Sequence, residues 1–233
     1  MAGMAVSGLV EALRQEIFDG RLRPGDRLDE VTLGRRFGVS RNTLREGFRV
    51  LAQGHLVEHR PNRGVFVRSL SVCEARDIYQ ARRIVECGAL REAALRGAQF
   101  QADGDDADDD AWKAEIGSIR AVLADGRAAA ECGDWDAVGS SNSAFHLALV
   151  ALAGNHVLDR TMRQLLTEMR LLFVVVASAR DVHEPYVDLN EQIATLIEAG
   201  QIVRAAVVLE EYLMRAERHL LDRYASSVDG ASR

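Results

Sequence analysis

The side chains best suited to chemistry in the first part of the chain are arginines within one helix-like segment. Arg41, Arg45 and Arg49 recur every four residues, so a helix places them on one face. An arginine fork can bind guanine O6 and N7, or a backbone phosphate, through two parallel hydrogen bonds. The pattern predicts a surface that reads duplex DNA. The other interpretation is a solvated basic helix that merely packs on its neighbour.

Polar residues flank these arginines. Ser40 is a favourable N-cap for the helix, and its hydroxyl and that of Thr43 can bind phosphate. Farther along, Arg63 and Gly64 lie at the tip of a predicted hairpin, where glycine permits close approach and arginine favours a narrow minor groove. The predicted DNA-contacting set is Ser40, Arg41, Asn42, Thr43, Arg45, Arg49, Arg63 and Gly64.

Short helices and one hairpin must hold these side chains in place. Apolar spacing predicts a helix over residues 4–20, a second that starts at Asp29 or Glu30, and a third over 41–53. A tight turn at 38–40 separates the second helix from the third. Two β-like runs, 56–60 and 65–68, flank the turn at 61–64. This order is that of a winged helix-turn-helix.

The remainder of the chain has helical periodicity and no convincing strand. Helices are predicted near 72–97, 111–132, 134–153, 155–179, 185–199 and 201–224, with a solvated acidic loop over Gln99–Asp110. The expected fold is mainly α: an N-terminal winged helix-turn-helix with a small β-hairpin wing, then an all-α bundle of about six helices. The expected domains are 1–70, for DNA binding, and 71–226, for effector binding and dimerisation, with a disordered tail over 227–233.

Charge is distributed unevenly along the 233 residues, although the net charge is −6. Residues 1–68 carry 12 arginines and eight acidic residues, a net charge of +4, which leaves −10 for the rest. A basic head on an acidic body is expected when one half meets phosphate and the other does not. An architectural DNA-binding protein would need positive charge throughout, so the acidic body disfavours that alternative.

Other features exclude several classes of protein. No apolar run is long enough to span a bilayer, and the N-terminus lacks the pattern of a secretory signal, which predicts a cytoplasmic protein without membrane contact. Cys73, Cys87 and Cys132 have no metal-binding or disulfide spacing. There is no phosphate-binding loop and no recognisable nucleophile or metalloprotease motif, so an enzyme is not expected.

Residues 16–67 resemble the winged-helix domain of the GntR family of regulators. The resemblance rests on ordered motifs: Gly20-Arg21-Leu22, Pro24-Gly25, Gly38-Val39-Ser40-Arg41, Leu44-Arg45-Glu46 and Asn62-Arg63-Gly64. The chain departs from the family at Asn42-Thr43, where Thr-Pro is frequent, and at Gly47, where alanine is usual. The resemblance implies that Arg41 and Arg45 read bases and that the wing contributes.

The second domain resembles the FadR-type branch of that family in the segments 83–86, 142–155 and 193–200. This resemblance implies an all-helical ligand domain with a metal held by one aspartate and three histidines. Here Asn142 stands at the aspartate position, His146 keeps the first histidine, and Asn190 and Tyr212 replace the other two. Amides and phenols bind zinc or nickel weakly, so we expect no metal and no cofactor. A substitute metal site using His146, His183 or His219 stays open.

The same positions predict an effector site. Neutral donors around one guanidinium suit an organic anion such as a carboxylate. The predicted effector-binding residues are Arg83, Asn142, His146, Asn190 and Tyr212. The alternative is that these polar groups satisfy one another in the core, with Arg83 paired to Glu86.

Together the two halves predict a ligand-responsive transcription regulator of a metabolic operon. Repression of transcription is favoured over activation, and a small organic acid is the expected effector. A homodimer on a palindromic double-stranded operator is expected, because one short recognition helix buries too little surface for tight binding. The alternatives are an architectural DNA-binding protein without a ligand and a metal-binding enzyme.

Overall fold

The computed structural model describes residues 5–103, 106–176 and 178–231, in which three helices and a hairpin precede seven further helices. A 3-10 turn, Glu184–Tyr186, joins the eighth helix to the ninth. The mainly α fold, with an N-terminal winged helix-turn-helix and a C-terminal helical bundle, is confirmed. In chain order the elements are α1 Val6–Phe18, α2 Glu30–Phe37, α3 Arg41–Gln53, β1 Val57–Arg60, β2 Gly64–Val67, α4 Val72–Asp103, α5 Asp106–Cys132, α6 Trp135–Ala151, α7 His156–Val175, α8 Ala179–His183, α9 Val187–Glu198 and α10 Ile202–Ala231.

The described residues form two compact units. The first takes those within Met1–Ala75, Thr167–Ala177 and Tyr224–Arg233, and the second takes those within Arg76–Leu166 and Ser178–Arg223. The prediction of domains 1–70 and 71–226 places the ends of α7 and α10 in the second domain, whereas they belong to the first compact unit. The difference arises because α4, α7 and α10 are long, and each contributes residues to both units.

The first unit is built on the contact between α1 and α3. Leu9, Leu13 and Ile17 of α1 are fully buried, as are Leu44 and Leu51 of α3. A methyl group on Gly47 of α3 would lie 3.2 Å from Leu9 Cδ2, closer than ordinary contacts allow. The departure from alanine at position 47 therefore fits the close approach of these two helices.

The turn between α2 and α3 is held by its caps. Asp29 accepts a hydrogen bond from the Thr32 backbone N–H at 2.8 Å and so caps α2. Gly38 ends α2 with φ 64°, a left-handed conformation that favours glycine. Ser40 accepts from the Thr43 backbone N–H at 3.1 Å and starts α3, as the sequence predicts.

The hairpin pairs β1 with β2 in antiparallel register, from Val57 opposite Val67 to Arg60 opposite Gly64. Asn62 and Gly64 both have positive φ, which allows the chain to reverse over three residues. A third extended segment, residues 26–28, joins β2 through an isolated bridge between Arg27 and Phe66 and through hydrogen bonds such as that from Leu28 N to Val65 O at 2.8 Å. Apolar spacing in the sequence did not predict this segment.

Arg68, which follows β2, is fixed by two carboxylates of the first unit. Its guanidinium donates to Glu74 at 2.8 Å and to Glu168 at 2.7 Å. Hydrogen bonds from Ser71, together with Arg68, lower the pKa of Glu74 to about 2. The Tyr224 hydroxyl, near the end of α10, donates to the backbone oxygen of Leu70. The wing is therefore anchored to residues far apart in the sequence.

Two sequence predictions for the second half of the chain are wrong. The acidic segment Gln99–Asp110 is mostly helical, because α4 continues to Asp103 and α5 begins at Asp106; residues 104 and 105 lie outside the described residues. Carboxylates in the first turn of a helix are favourable, which explains an acidic start to α5. The predicted tail 227–233 is also helical as far as Ala231, since a helix that is already formed extends at little cost.

Within the described residues the bundle contains six longer helices, in agreement with the prediction of about six, and one short helix, α8, ahead of Pro185. A cluster of Ala89, Val150, Met162 and Leu166 packs α4, α6 and α7 together. Across the described ranges, every helix is too short or too polar to cross a membrane.

Candidate nucleic-acid interface and buried polar cluster

The first turn of α3 presents Arg41 and Asn42 to solvent, directly after the Ser40 cap. Among the described residues Arg41 has no ion pair, so its guanidinium is available to a partner. The Thr43 hydroxyl is 2.9 Å from the Ser40 hydroxyl, which couples these two polar groups. The predicted base-reading end of α3 is therefore exposed to solvent, and the Ser40 cap fixes its backbone.

The other two arginines of this helix are paired with carboxylates. Arg45 Nε donates to Glu30 of α2 at 3.0 Å, and Arg49 donates to Glu46 one turn earlier at 2.6 Å. Both arginines are largely exposed, and exposed ion pairs of this kind contribute little to stability because solvent screens them. A phosphate or a base edge can replace these carboxylates at little cost.

The wing places a further cation at its tip. Arg63 is exposed in the loop between β1 and β2, and Gly64 follows with φ 103°. A methyl group added to Gly64 would lie 3.5 Å from Arg27 Nε, so Arg27 of the third extended segment lies beside the wing. Sequence reasoning missed Arg27, because only the pairing of residues 26–28 with β2 brings it there.

In the second unit, four of the five predicted effector residues meet. His146 Nε2 is 3.3 Å from the Tyr212 hydroxyl, which donates to Asn142 Oδ1 at 3.3 Å. Asn190 Nδ2 donates to the same oxygen at 2.8 Å. The side chains come from α6, α9 and α10, and His146, Asn190 and Tyr212 are buried. We call these four residues and Glu86 the polar cluster.

Arg83 does not join the polar cluster, contrary to the sequence prediction. Its guanidinium pairs with Glu217 of α10 instead. The neighbouring arginine, Arg82, is the buried one, and its Nε donates to Glu86 at 2.7 Å. The buried stripe of α4 runs through Ile78, Arg82 and Glu86, which sequence periodicity did not distinguish from the adjacent stripe.

Glu86 is the charged centre of the polar cluster. Its other oxygen lies 2.6 Å from His146 Nδ1, and its side chain is fully buried. Burial alone would raise the pKa of this carboxyl, but Arg82 and His146 hold it below its ordinary value. Burial lowers the pKa of His146, against the opposing effect of Glu86, and the Arg82 guanidinium lowers it further.

These residues do not fit the transition-metal site that the family resemblance implies. The Asn142 oxygen already accepts two hydrogen bonds, and His146 has one ring nitrogen on Glu86 and the other on Tyr212. His219 bonds Tyr186 and Arg223, and His183 packs against Gly139. Within the described ranges no three histidine, cysteine or acidic side chains are grouped closely enough to hold a metal ion.

An exposed arginine helix with a hairpin wing, followed by a helical unit with a buried polar cluster, defines a winged helix-turn-helix protein with a helical second domain. Residues 6–67 match the family model for bacterial regulatory proteins of the gntR family, and residues 77–215 match the model of the FCD domain. The chain belongs to the GntR family of regulators and carries an FCD domain.

Known relatives extend this likeness. The chain is 31% identical over 200 residues to BphR of Paraburkholderia xenovorans, an uncharacterized HTH-type transcriptional regulator, covering 80% of this chain and 76% of BphR. It is 38% identical over 82 residues to the HTH-type transcriptional repressor RspR of Escherichia coli, covering 35% of this chain and 36% of RspR. The structure of a GntR transcriptional regulator from Rhodococcus sp. RHA1 is 33% identical to this chain. The two structures superpose with a TM-score of 0.78 over 93% of this chain and 97% of the Rhodococcus chain. The protein is a DNA-binding transcription regulator and not an enzyme.

Glu30→Gln should strengthen binding to duplex DNA, because it frees Arg45 and removes a negative charge beside the reading helix. Fluorescence anisotropy with labelled duplex over a series of salt concentrations should give tighter binding and a log–log salt slope steeper by up to about one. Glu11→Gln breaks a similar exposed pair with Arg14 on α1 and serves as the control. If Glu30→Gln binds no better than Glu11→Gln, the pair does not restrain Arg45.

The lowered pKa of His146 makes stability depend on pH. Below the ordinary value of 6.5, the unfolded chain protonates this histidine more readily than the folded one, so the free energy of unfolding should fall as pH decreases. One proton limits this contribution to about 1.4 kcal/mol per pH unit. Urea unfolding between pH 5 and 8 should show a smaller slope for His146→Gln than for wild type. His156→Gln, at an exposed position, should keep the wild-type slope, and an unchanged slope in His146→Gln would contradict the assignment.

Proposed function

We propose that this regulator represses a metabolic operon, binds a palindromic operator as a homodimer, and responds to a small organic acid. The DNA part rests on Arg41, which is exposed on the first turn of a capped recognition helix beside the basic wing. The relative RspR is named a transcriptional repressor, which supports repression rather than activation of transcription. Since a bacterial operator lies in the cytoplasm, the proposal places the protein there.

The proposed contacts divide into base reading and positioning. Arg41 and Asn42 lie at the N-terminal end of α3, the part of a recognition helix that contacts base edges. Arg45 would contact a base edge as well once its ion pair with Glu30 is broken. Arg63 suits the minor groove, with Gly64 permitting close approach. Side chains assigned to phosphate positioning are Ser40, Thr43 and Arg49.

The effector proposal rests on the polar cluster. Asn142, His146, Asn190 and Tyr212 meet, so a polar ligand would find several hydrogen-bonding groups in one place. The guanidinium next to them is that of Arg82 rather than Arg83, and it is already shared with Glu86. A guanidinium favours the carboxylate of a ligand, because it can donate two parallel hydrogen bonds to that group. A ligand of this kind changes DNA affinity only if it binds the DNA-competent and the DNA-free states unequally.

An apolar surface on α4 and α10 supports the homodimer. Five large hydrophobic side chains are exposed there: Ile84 (68%), Leu95 (67%), Val203 (60%), Val207 (50%) and Met214 (45%). Arg91 of α4 pairs with Glu210 of α10 at 3.5 Å, so both charge signs occur on the same two helices. Contiguous exposed apolar groups mark an interaction site, and mixed charges allow a surface to pair with its own copy. We call this surface the α4–α10 face.

Arg41→Ala should weaken binding to a selected operator by about 1–3 kcal/mol and reduce its preference over scrambled duplex, because a base-reading fork is lost. The operator duplex would be selected by the wild-type protein from a random pool and tested by competition binding. Arg14→Ala removes a half-exposed arginine of α1, outside the recognition helix, and should leave the preference unchanged. If the Arg41→Ala protein retains full preference, another residue reads the bases.

Ile84→Asp or Val203→Asp should shift the protein from dimer to monomer in sedimentation equilibrium, because each places a charge in the α4–α10 face. Val157→Asp changes a valine of α7 that is 58% exposed and lies outside this face, and it should leave the dimer intact. Dimers of unchanged affinity in both test variants would show that the subunits meet elsewhere.

A further inference from the structure

A chain of hydrogen-bonded groups crosses the second unit from α4 to α9. It begins at the buried Glu86 carboxylate, with 2.6 Å to His146 Nδ1, and continues over 3.3 Å from His146 Nε2 to the Tyr212 hydroxyl. From that hydroxyl to Asn142 Oδ1 is 3.3 Å, and from Asn142 Oδ1 to Asn190 Nδ2 is 2.8 Å. The five members of the polar cluster therefore form a single path.

The hydrogens on this path can be counted. A carboxylate only accepts, so His146 Nδ1 carries a hydrogen and donates it to Glu86. The Tyr212 hydroxyl has one hydrogen, which goes to Asn142 Oδ1. Its oxygen is then left to accept from His146 Nε2, which must also carry a hydrogen. This arrangement is complete only when the imidazole ring of His146 is protonated on both nitrogens.

The far end of the path opens on a small cavity. The cavity has a volume of about 20 Å³, and its walls include Asn190, Ser141 of α6 and His183 of α8. That volume is enough for one group the size of a water molecule. Asn190 Oδ1 is buried and accepts no hydrogen bond from the described residues, so in this arrangement the path ends in a free acceptor.

A neutral His146 requires the opposite arrangement. Its Nε2 then accepts, so the Tyr212 hydroxyl turns to donate to it, and the tyrosine oxygen needs a donor from Asn142. A half-turn of the Asn142 amide supplies its NH₂ group with almost no change of shape. The oxygen of Asn190 must then accept a hydrogen bond from the Asn142 NH₂ group. This orientation turns the NH₂ group of Asn190 toward the cavity.

We propose that this path reverses its hydrogen-bond direction when His146 gains or loses one proton, so that Asn190 shows the cavity an oxygen in one state and an NH₂ group in the other. On reversal the proton leaves His146 Nε2 for bulk water. With His146 protonated, the cavity takes a hydrogen-bond donor such as a hydroxyl or ammonium group. With His146 neutral it takes an acceptor such as a carboxylate oxygen, and this consequence for the effector rests on the proposed function.

The charged and titratable groups around His146 leave it as the member of the path that can gain or lose a proton, on the acid side of its ordinary pKa because burial and Arg82 lower that pKa. Arg82 and Glu86 of α4 form a buried ion pair, and burial raises the pKa of Tyr212 on α10 far above neutrality. Tyr186 packs edge-to-face against Tyr212 with ring centroids 4.9 Å apart, and burial raises the pKa of Tyr186 as well. His219 contacts Tyr186 and is not a member of the path.

Nuclear magnetic resonance on the intact protein tests the reversal without any effector. Protein with ¹⁵N in histidine rings and asparagine side chains would be titrated from pH 8 downward through the whole acidic range in which the protein stays folded. The Asn190 and Asn142 amide resonances should shift with the same midpoint as the His146 ring nitrogens. Amide resonances that do not move, or that move with a different midpoint, overturn the proposal, and so does a His146 ring that stays in one state throughout.

Matched variants locate the connection. Tyr212→Phe removes the hydroxyl that links His146 to Asn142, and His146→Gln removes the titrating ring; each should abolish the titration of the Asn190 amide. Tyr186→Phe and His219→Gln change neighbouring groups outside the path and should preserve it. An Asn190 titration that persists in either test variant overturns the proposal. Because no DNA or effector is used, this outcome is independent of operator binding and of the nature of the effector.

Discussion

The helical domain is organised around one buried carboxylate. Glu86 has no exposed surface, and an unpaired charge in such a place would cost several kcal/mol. Arg82 must therefore accompany it from the same helix, and His146 must approach it from α6. Through Tyr212 and the two asparagines, the same requirement extends to α9 and α10. A single charge thus fixes how four helices meet at the position where the family resemblance implies a metal ion.

The DNA-binding part obeys the opposite requirement. Its arginines must remain exposed, because a guanidinium committed to a buried partner could not exchange it for phosphate. Glu30 and Glu46 neutralise Arg45 and Arg49 at the surface, where such pairs are weak. The Ser40 cap and the α1–α3 contact supply the rigidity, and the charges stay replaceable. Rigid backbone with exchangeable charge is what a surface needs to bind an anionic polymer reversibly.

Local patterns in the sequence were sufficient to predict much of this structure. The apolar spacing of the first three helices, the Ser40 cap and the hairpin turn are short-range features, and all of them are present in the structure. The family resemblance supplied the positions of Asn142, His146, Asn190 and Tyr212, which do meet. Neither source distinguished Arg82 from Arg83, because adjacent identical residues carry the same pattern. The choice depends on Glu86, which stands one full turn after Arg82 and whose importance only burial reveals.

Long-range pairing accounts for what the sequence did not show. Residues 26–28 follow Pro24 and Gly25, which indicate a turn, and only the contact of these residues with β2 reveals that they are extended. The helical conformation of the acidic segment and of the predicted tail reflects continuation of long helices, which overrides weak local propensity.

The anchoring of Arg68 has a practical consequence for dissecting this protein. A fragment cut near residue 70 would keep the whole reading helix and both wing strands. It would lose Glu74 and Glu168, the acceptors of the Arg68 guanidinium, and also Tyr224, whose hydroxyl bonds the Leu70 carbonyl. The boundary near residue 70 that the sequence suggests therefore cuts through a compact unit, because the unit that holds the recognition helix and the wing includes residues from three separate stretches of the chain.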